Sequence, residues 1–159
     1  MSPTPDYSAQ RQRLLALLVA ETQQVRDFVA VLEQERQILS GQDVEPLFAL
    51  SEEKNRYARL LQQAADTRTV LLAQAGLKHD KAGVETLLGS ADNPAWLNYL
   101  KAVSDARQLN QNNGKILTER LAHNHQALAI LMAHSDQPTV YGPDGSTRTR
   151  PGSRLLGTS

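Results

Sequence analysis

Three long stretches of this chain space their seam residues four and three apart in turn, and that spacing admits few folds. The first stripe is Leu14, Leu18, Glu21, Val25, Phe28, Leu32, Glu35, Leu39. The second is Leu47, Leu50, Lys54, Tyr57, Leu61, Ala64, Arg68, Leu71, Ala75. The third reads Leu100, Val103, Arg107, Asn110, Gly114, Leu117, Leu121, Asn124, Leu128, Leu131. A seam that repeats every three and a half residues is one face of a helix, and it is buried by packing against other helices. The expected class is therefore all-α: an antiparallel three-helix bundle built on a coiled-coil hairpin of long helices. Hydrophobic residues make up 40% of the chain but aromatics only 4%, so the packing falls to Leu and Ala.

Helix punctuation sets the boundaries. Thr4-Pro5-Asp6 offers caps for a first helix over about 6–40, which Gly41 stops. Asp43 caps a second over about 44–75, with Pro46 tolerated in its first turn and Gly76 at its end. The connection is so short that the two must fold back as a hairpin. Between 77 and 92, Gly83 and Gly89 leave room for at most a short helix within 80–88. Asn93-Pro94 then starts a third helix over about 94–133. Trp96, the single tryptophan, is expected to anchor the linker against the hairpin.

Two features conflict with a plain bundle. Charged residues sit on both hairpin seams: Glu21 and Glu35 on one, Lys54 and Arg68 on the other. They either snorkel from the flank or pair between helices and fix register. Asn112-Asn113-Gly114 ordinarily marks a turn, and a mid-helix Gly costs about 1 kcal/mol relative to Ala. The stripe stays in phase on both sides, so a continuous helix is expected, with Gly114 admitting a neighbour closely and Arg107 and Asn110 bonding across the contact. The rival is two helices joined at 112–114.

The third helix is long enough to overhang the hairpin, leaving Leu121, Leu128, Ile130, Leu131 and Met132 partly uncovered. An uncovered apolar face implies a partner, either a second copy or another protein. After Ala133, Pro138, Gly142, Pro143, Gly145, Pro151, Gly152 and Gly157 replace the helical pattern. The expected organisation is thus a helical domain over 1–134 and a flexible tail over 135–159. Val140-Tyr141 and Leu155-Leu156 are apolar islands in that tail, of the kind that order on binding.

Little chemistry is on offer. Lys+Arg and Asp+Glu both number 17, so no net field draws the chain to nucleic acid or anionic membrane. The chain has no Cys, which removes thiol catalysis and Cys-based zinc sites. His123 and His125 project about 200° apart on a helix and cannot share a metal. No phosphate loop or nucleophile elbow occurs, and the carboxylates read as solvated helix faces. No enzyme activity, cofactor or metal is expected. Leu14–Ala20 behind Arg11 and Arg13 mimics a signal peptide, but Leu18-Val19-Ala20 is a poor cleavage site, the helical periodicity continues past it and no run approaches a bilayer span, so a cytoplasmic protein is expected.

Several motifs are more specific than helical patterning. They are Leu32-Glu33-x-Glu35-Arg36-x-x-Leu39, Leu50-x-Glu52-x-Lys54, Ala106-Arg107-x-Leu109-Asn110-x-x-Asn113-Gly114, Asn124-x-Gln126-Ala127-Leu128 and Thr139-Val140-Tyr141-Gly142-x-Asp144-Gly145. In these the chain resembles the FlgN-type flagellar export chaperones. The resemblance implies a chaperone that holds hook-associated junction proteins, prevents their premature assembly and delivers them to the flagellar type III export apparatus. It implies Leu117, Leu121, Leu128 and Leu131 as the cargo-binding face, Arg107, Asn110, Asn113 and Gly114 as the helix-packing motif, and Tyr141 as the contact with the export-gate membrane protein. A coiled-coil scaffold that dimerises through its third helix would show the same stripes. It would differ in associating strongly by itself and in having a dispensable tail.

Overall fold

In the computed structural model, residues 3–133, 139–141 and 147–149 are described. Among the described residues the chain is all-α apart from one short ribbon. Four helices follow one another: α1 (Ser8–Ser40), α2 (Leu47–Gln74), α3 (Lys81–Leu88) and α4 (Pro94–Ala133). Two three-residue strands, β1 (Thr139–Tyr141) and β2 (Thr147–Thr149), follow them. Two compact units divide the chain, Met1–Gly114 and Lys115–Ser159.

In the first unit the hairpin of α1 and α2 follows from local signals. Ahead of α1, the Asp6 carboxylate accepts from the Ser8 amide at 3.0 Å. Gly41 ends α1 by donating its amide to Ile38 O. In the turn, Asp43 accepts from the Glu45 amide at 3.0 Å. α2 ends in a Schellman arrangement: the Leu77 amide reaches back to Leu72 O and the Gly76 amide to Ala73 O. That geometry needs a left-handed residue, and Gly76 supplies it with φ 73°.

The seam charges of the hairpin pair across it. Arg68 donates to Glu21, and Lys54 donates to Glu35 at 2.9 Å. Fourteen residues, two heptads, separate Glu21 from Glu35 and equally Arg68 from Lys54, in opposite chain directions. The pairs therefore define an antiparallel register. Between them Phe28 and Tyr57 meet with ring centroids 6.1 Å apart.

α3 is part of the core rather than a spacer. Asp80 caps it by accepting from the Gly83 amide at 2.7 Å, and Val84, Leu87 and Leu88 are buried. Arg11 Nε donates to Leu87 O at 2.9 Å, tying the end of α3 to the start of α1. α4 opens where an Asn-Pro pair allows, with Asn93 accepting from the Ala95 amide at 3.0 Å. Trp96 and Tyr99 are buried in its first turns and stack on each other at 5.7 Å.

The phase of α4 in this unit differs from the expected one. The stripe read from the sequence put Arg107, Asn110 and Gly114 on the seam, yet all three are exposed. The buried residues are Trp96, Tyr99, Ala102, Ala106, Leu109 and Asn113. The seam is displaced by one residue, about 100° of helix rotation. α4 also runs unbroken through Asn112-Asn113-Gly114, without the turn that Asn-Gly ordinarily favours. A side chain built at Gly114 would meet nothing within 4 Å, so Gly114 is not a point of close helix approach.

In the second unit α4 continues to Ala133. The strands β1 and β2 pair antiparallel, Thr139 opposite Thr149, Val140 opposite Arg148 and Tyr141 opposite Thr147. A short ribbon thus occupies part of the stretch expected to be a flexible tail. Leu155 and Leu156 lie outside the described residues.

Candidate functional site

From Lys115 to Ala133 the helix carries no buried residue. Leu117, Leu121, Leu128 and Leu131 expose 43%, 51%, 44% and 69% of their surface. At 100° per residue these four leucines fall within an arc of about 80°, with Asn124 near its centre. A stripe this narrow is a seam of coiled-coil width, and its geometry matches the face of a second helix. Ile130, also exposed at 54%, projects about 140° from the centre of the arc and lies outside the stripe. Ile130 is thus uncovered, as expected, but on a different side of α4 from the four leucines.

Each exposed leucine is an unspent source of binding free energy. Fully burying one contributes roughly 1.5–3 kcal/mol. Polar side chains such as Thr118, Glu119, His125 and Gln126 occupy other directions of the same helix. The surface therefore suits an amphipathic helix laid along one face. Nothing in it resembles a reaction centre. Among the described residues no group of His, Cys, Asp and Glu could hold a metal ion.

The motif 106–114 occupies a different setting, inside the first unit. Ala106 and Leu109 face the core, and Asn113 is 1% exposed. Asn113 Nδ2 donates to Leu32 O at 2.8 Å and to Glu35 Oε1 at 2.9 Å. Lys54 Nζ, already bound to Glu35, also donates to Asn110 Oδ1 at 3.3 Å. Asn113, Glu35, Lys54 and Asn110 thus form one polar clasp joining α1, α2 and α4. Arg107 is on the solvent side and takes no part in it.

A second network, which the sequence reading did not foresee beyond the pairing alternative, lies two heptads along the hairpin. Glu21 accepts from Arg68 and, at 3.1 Å, from the Tyr99 hydroxyl. Arg68 Nε donates to His79 Nε2 at 3.2 Å, and its guanidinium sits 5.1 Å from the Tyr99 ring centroid. Burial works against the charge of Arg68. Its bond to Glu21 and the field of Tyr99 and Glu21 outweigh that, so its pKa is raised and it stays charged. Burial pushes the Tyr99 phenol up as well. The sequence signal for both networks was the seam charges themselves, but their α4 partners are distant in the chain. Tyr141, the remaining residue singled out, is the last residue of β1.

The family model described as FlgN protein matches residues 1–149 of this chain. The chain belongs to the FlgN family. It is 27% identical over 139 residues to the flagella synthesis protein FlgN of Proteus mirabilis, covering 86% of this chain and 91% of that one. Against the flagella synthesis protein FlgN of Salmonella typhimurium the identity is 30% over 138 residues, 85% of this chain and 90% of the other. The Yersinia enterocolitica protein of the same name is 26% identical over 148 residues, with 92% and 95% covered. No solved structure matches.

These FlgN proteins are named for flagella synthesis and not for a catalysed reaction. A flagellar role is thereby supported for this member. Among the described residues no helix is long and apolar enough to cross a membrane.

Proposed function

We propose that this FlgN-family protein is a cytoplasmic chaperone for hook-filament junction proteins. Leu117, Leu121, Leu128 and Leu131 hold an amphipathic helix of the client, which keeps the client from assembling early. Tyr141 then docks the loaded chaperone on the export-gate membrane protein, and the client is released by handover to the type III export apparatus. No nucleotide or cofactor takes part. The observation that carries this reading is the leucine stripe of α4, bare over about four helical turns in a member of a flagella-synthesis family.

The test separates holding from docking. Leu121→Asp with Leu128→Asp removes two half-exposed leucines from the stripe. Losing about half the burial free energy of each weakens client binding by at least 30-fold, roughly 2 kcal/mol. Circular dichroism should show the helices intact, because neither residue is buried. Tyr141→Ala should leave client binding in a pull-down unchanged while export of the junction proteins fails. Unaltered binding by the double variant would move the client site elsewhere. Strong self-association of the unliganded protein with a dispensable tail would favour a dimerising scaffold instead.

A further inference from the structure

Asn113 and Gly114 combine two facts that packing alone does not explain together. Gly114 sits inside a 40-residue helix, where glycine is unfavourable. A Cβ there would meet nothing within 4 Å, so no neighbour demands its absence. The residue before it is among the most buried of the described residues, and its side-chain nitrogen holds α4 to α1. Asn followed by Gly is the dipeptide most open to deamidation, because glycine leaves the attacking amide nitrogen unhindered.

We propose that Asn113-Gly114 is a deamidation site that the fold keeps closed, and that its conversion releases the clasp between α4 and α1. The chemistry is self-contained. The Gly114 amide nitrogen attacks Asn113 Cγ, the C–Nδ2 bond breaks, and ammonia leaves carrying the amide proton. The five-membered succinimide is then opened by water to aspartate or isoaspartate, so the net change is water in and ammonia out.

In the folded chain each step is blocked. A helical N–H points along the axis at the carbonyl four residues earlier, not at its neighbour's side chain. The leaving nitrogen is held by Leu32 O and Glu35 Oε1. At 1% exposure Asn113 offers water little access. After conversion the side chain at this position has no Nδ2 to donate, and its new carboxylate faces that of Glu35 where the amide had bonded it at 2.9 Å. Like charges at that distance repel, and Leu32 O loses its side-chain donor. Isoaspartate additionally inserts a backbone carbon into the helix.

The experiment compares native and urea-unfolded full-length protein at the same mildly alkaline pH. Conversion is followed by mass spectrometry of the tryptic peptide 108–115. Native protein should convert at least tenfold more slowly, since reaction requires local opening. Gly114→Ala should suppress conversion in urea. Asn113→Asp should lower the thermal midpoint by about 10 °C. If that variant does not fold, the deamidated fraction of aged wild-type protein, separated by ion exchange, takes its place. Equal rates in native and unfolded protein would overturn the proposal. So would an Asn113→Asp or deamidated chain that melts with the wild type.

Discussion

The Glu21–Arg68–Tyr99 network offers a quantitative test of how the first unit is held. Glu21 is 3% exposed and the Arg68 side chain 10%, so both charges are out of water. Glu21→Ala removes the acceptor of Arg68 and of the Tyr99 hydroxyl together, leaving a buried guanidinium without its counter-charge. Breaking such a pair from one side costs about 3–5 kcal/mol. With a urea m-value of about 2 kcal/mol/M, the midpoint falls by about 2 M, read by circular dichroism and Trp96 fluorescence. The triple variant Glu21→Leu, Arg68→Met, Tyr99→Phe removes every member of the network that is buried. His79 is exposed and regains a partner from water. The triple variant should recover most of the loss, because apolar residues of similar volume replace a buried pair at little cost. A single substitution costing under about 1 kcal/mol would refute the reasoning, as would a triple variant no more stable than Glu21→Ala.

Other substitutions probe separate parts of the fold. Gly114→Ala should stabilise by about 1 kcal/mol in urea titration, since the added methyl meets nothing and alanine favours the helix. Gly83→Ala should destabilise α3, because its Cβ would lie 2.0 Å from Lys78 O, and hydrogen exchange of 81–88 should accelerate. Leu72→Ala empties a fully buried site and should cost about 2–5 kcal/mol by the same titration. Phe48→Ser, at 79% exposure, should change stability by no more than about 0.5 kcal/mol.

The all-α class, the first two seams and the family resemblance were legible in the sequence because each rests on local information. A heptad stripe, a glycine stop and an Asn-Pro start act over a few residues, and α1 and α2 bury the stripes their spacing marks. The bare leucines of α4 were legible for the same reason. What neighbouring residues could not decide was which of two α4 seams, one residue apart, would be buried. Hydrophobic patterning marks Leu100 and Val103 more strongly than Ala102 and Ala106, so it favours the wrong one. Tertiary structure decides it with groups some eighty residues away. Leu32 O and Glu35 accept from the Asn113 side-chain nitrogen in the interior, while the competing seam would have to bury Arg107. The seam charges follow the same logic: whether Glu21 and Glu35 snorkel or pair depends on the register of a second helix. Only the folded chain brings Arg68 and Lys54 opposite them.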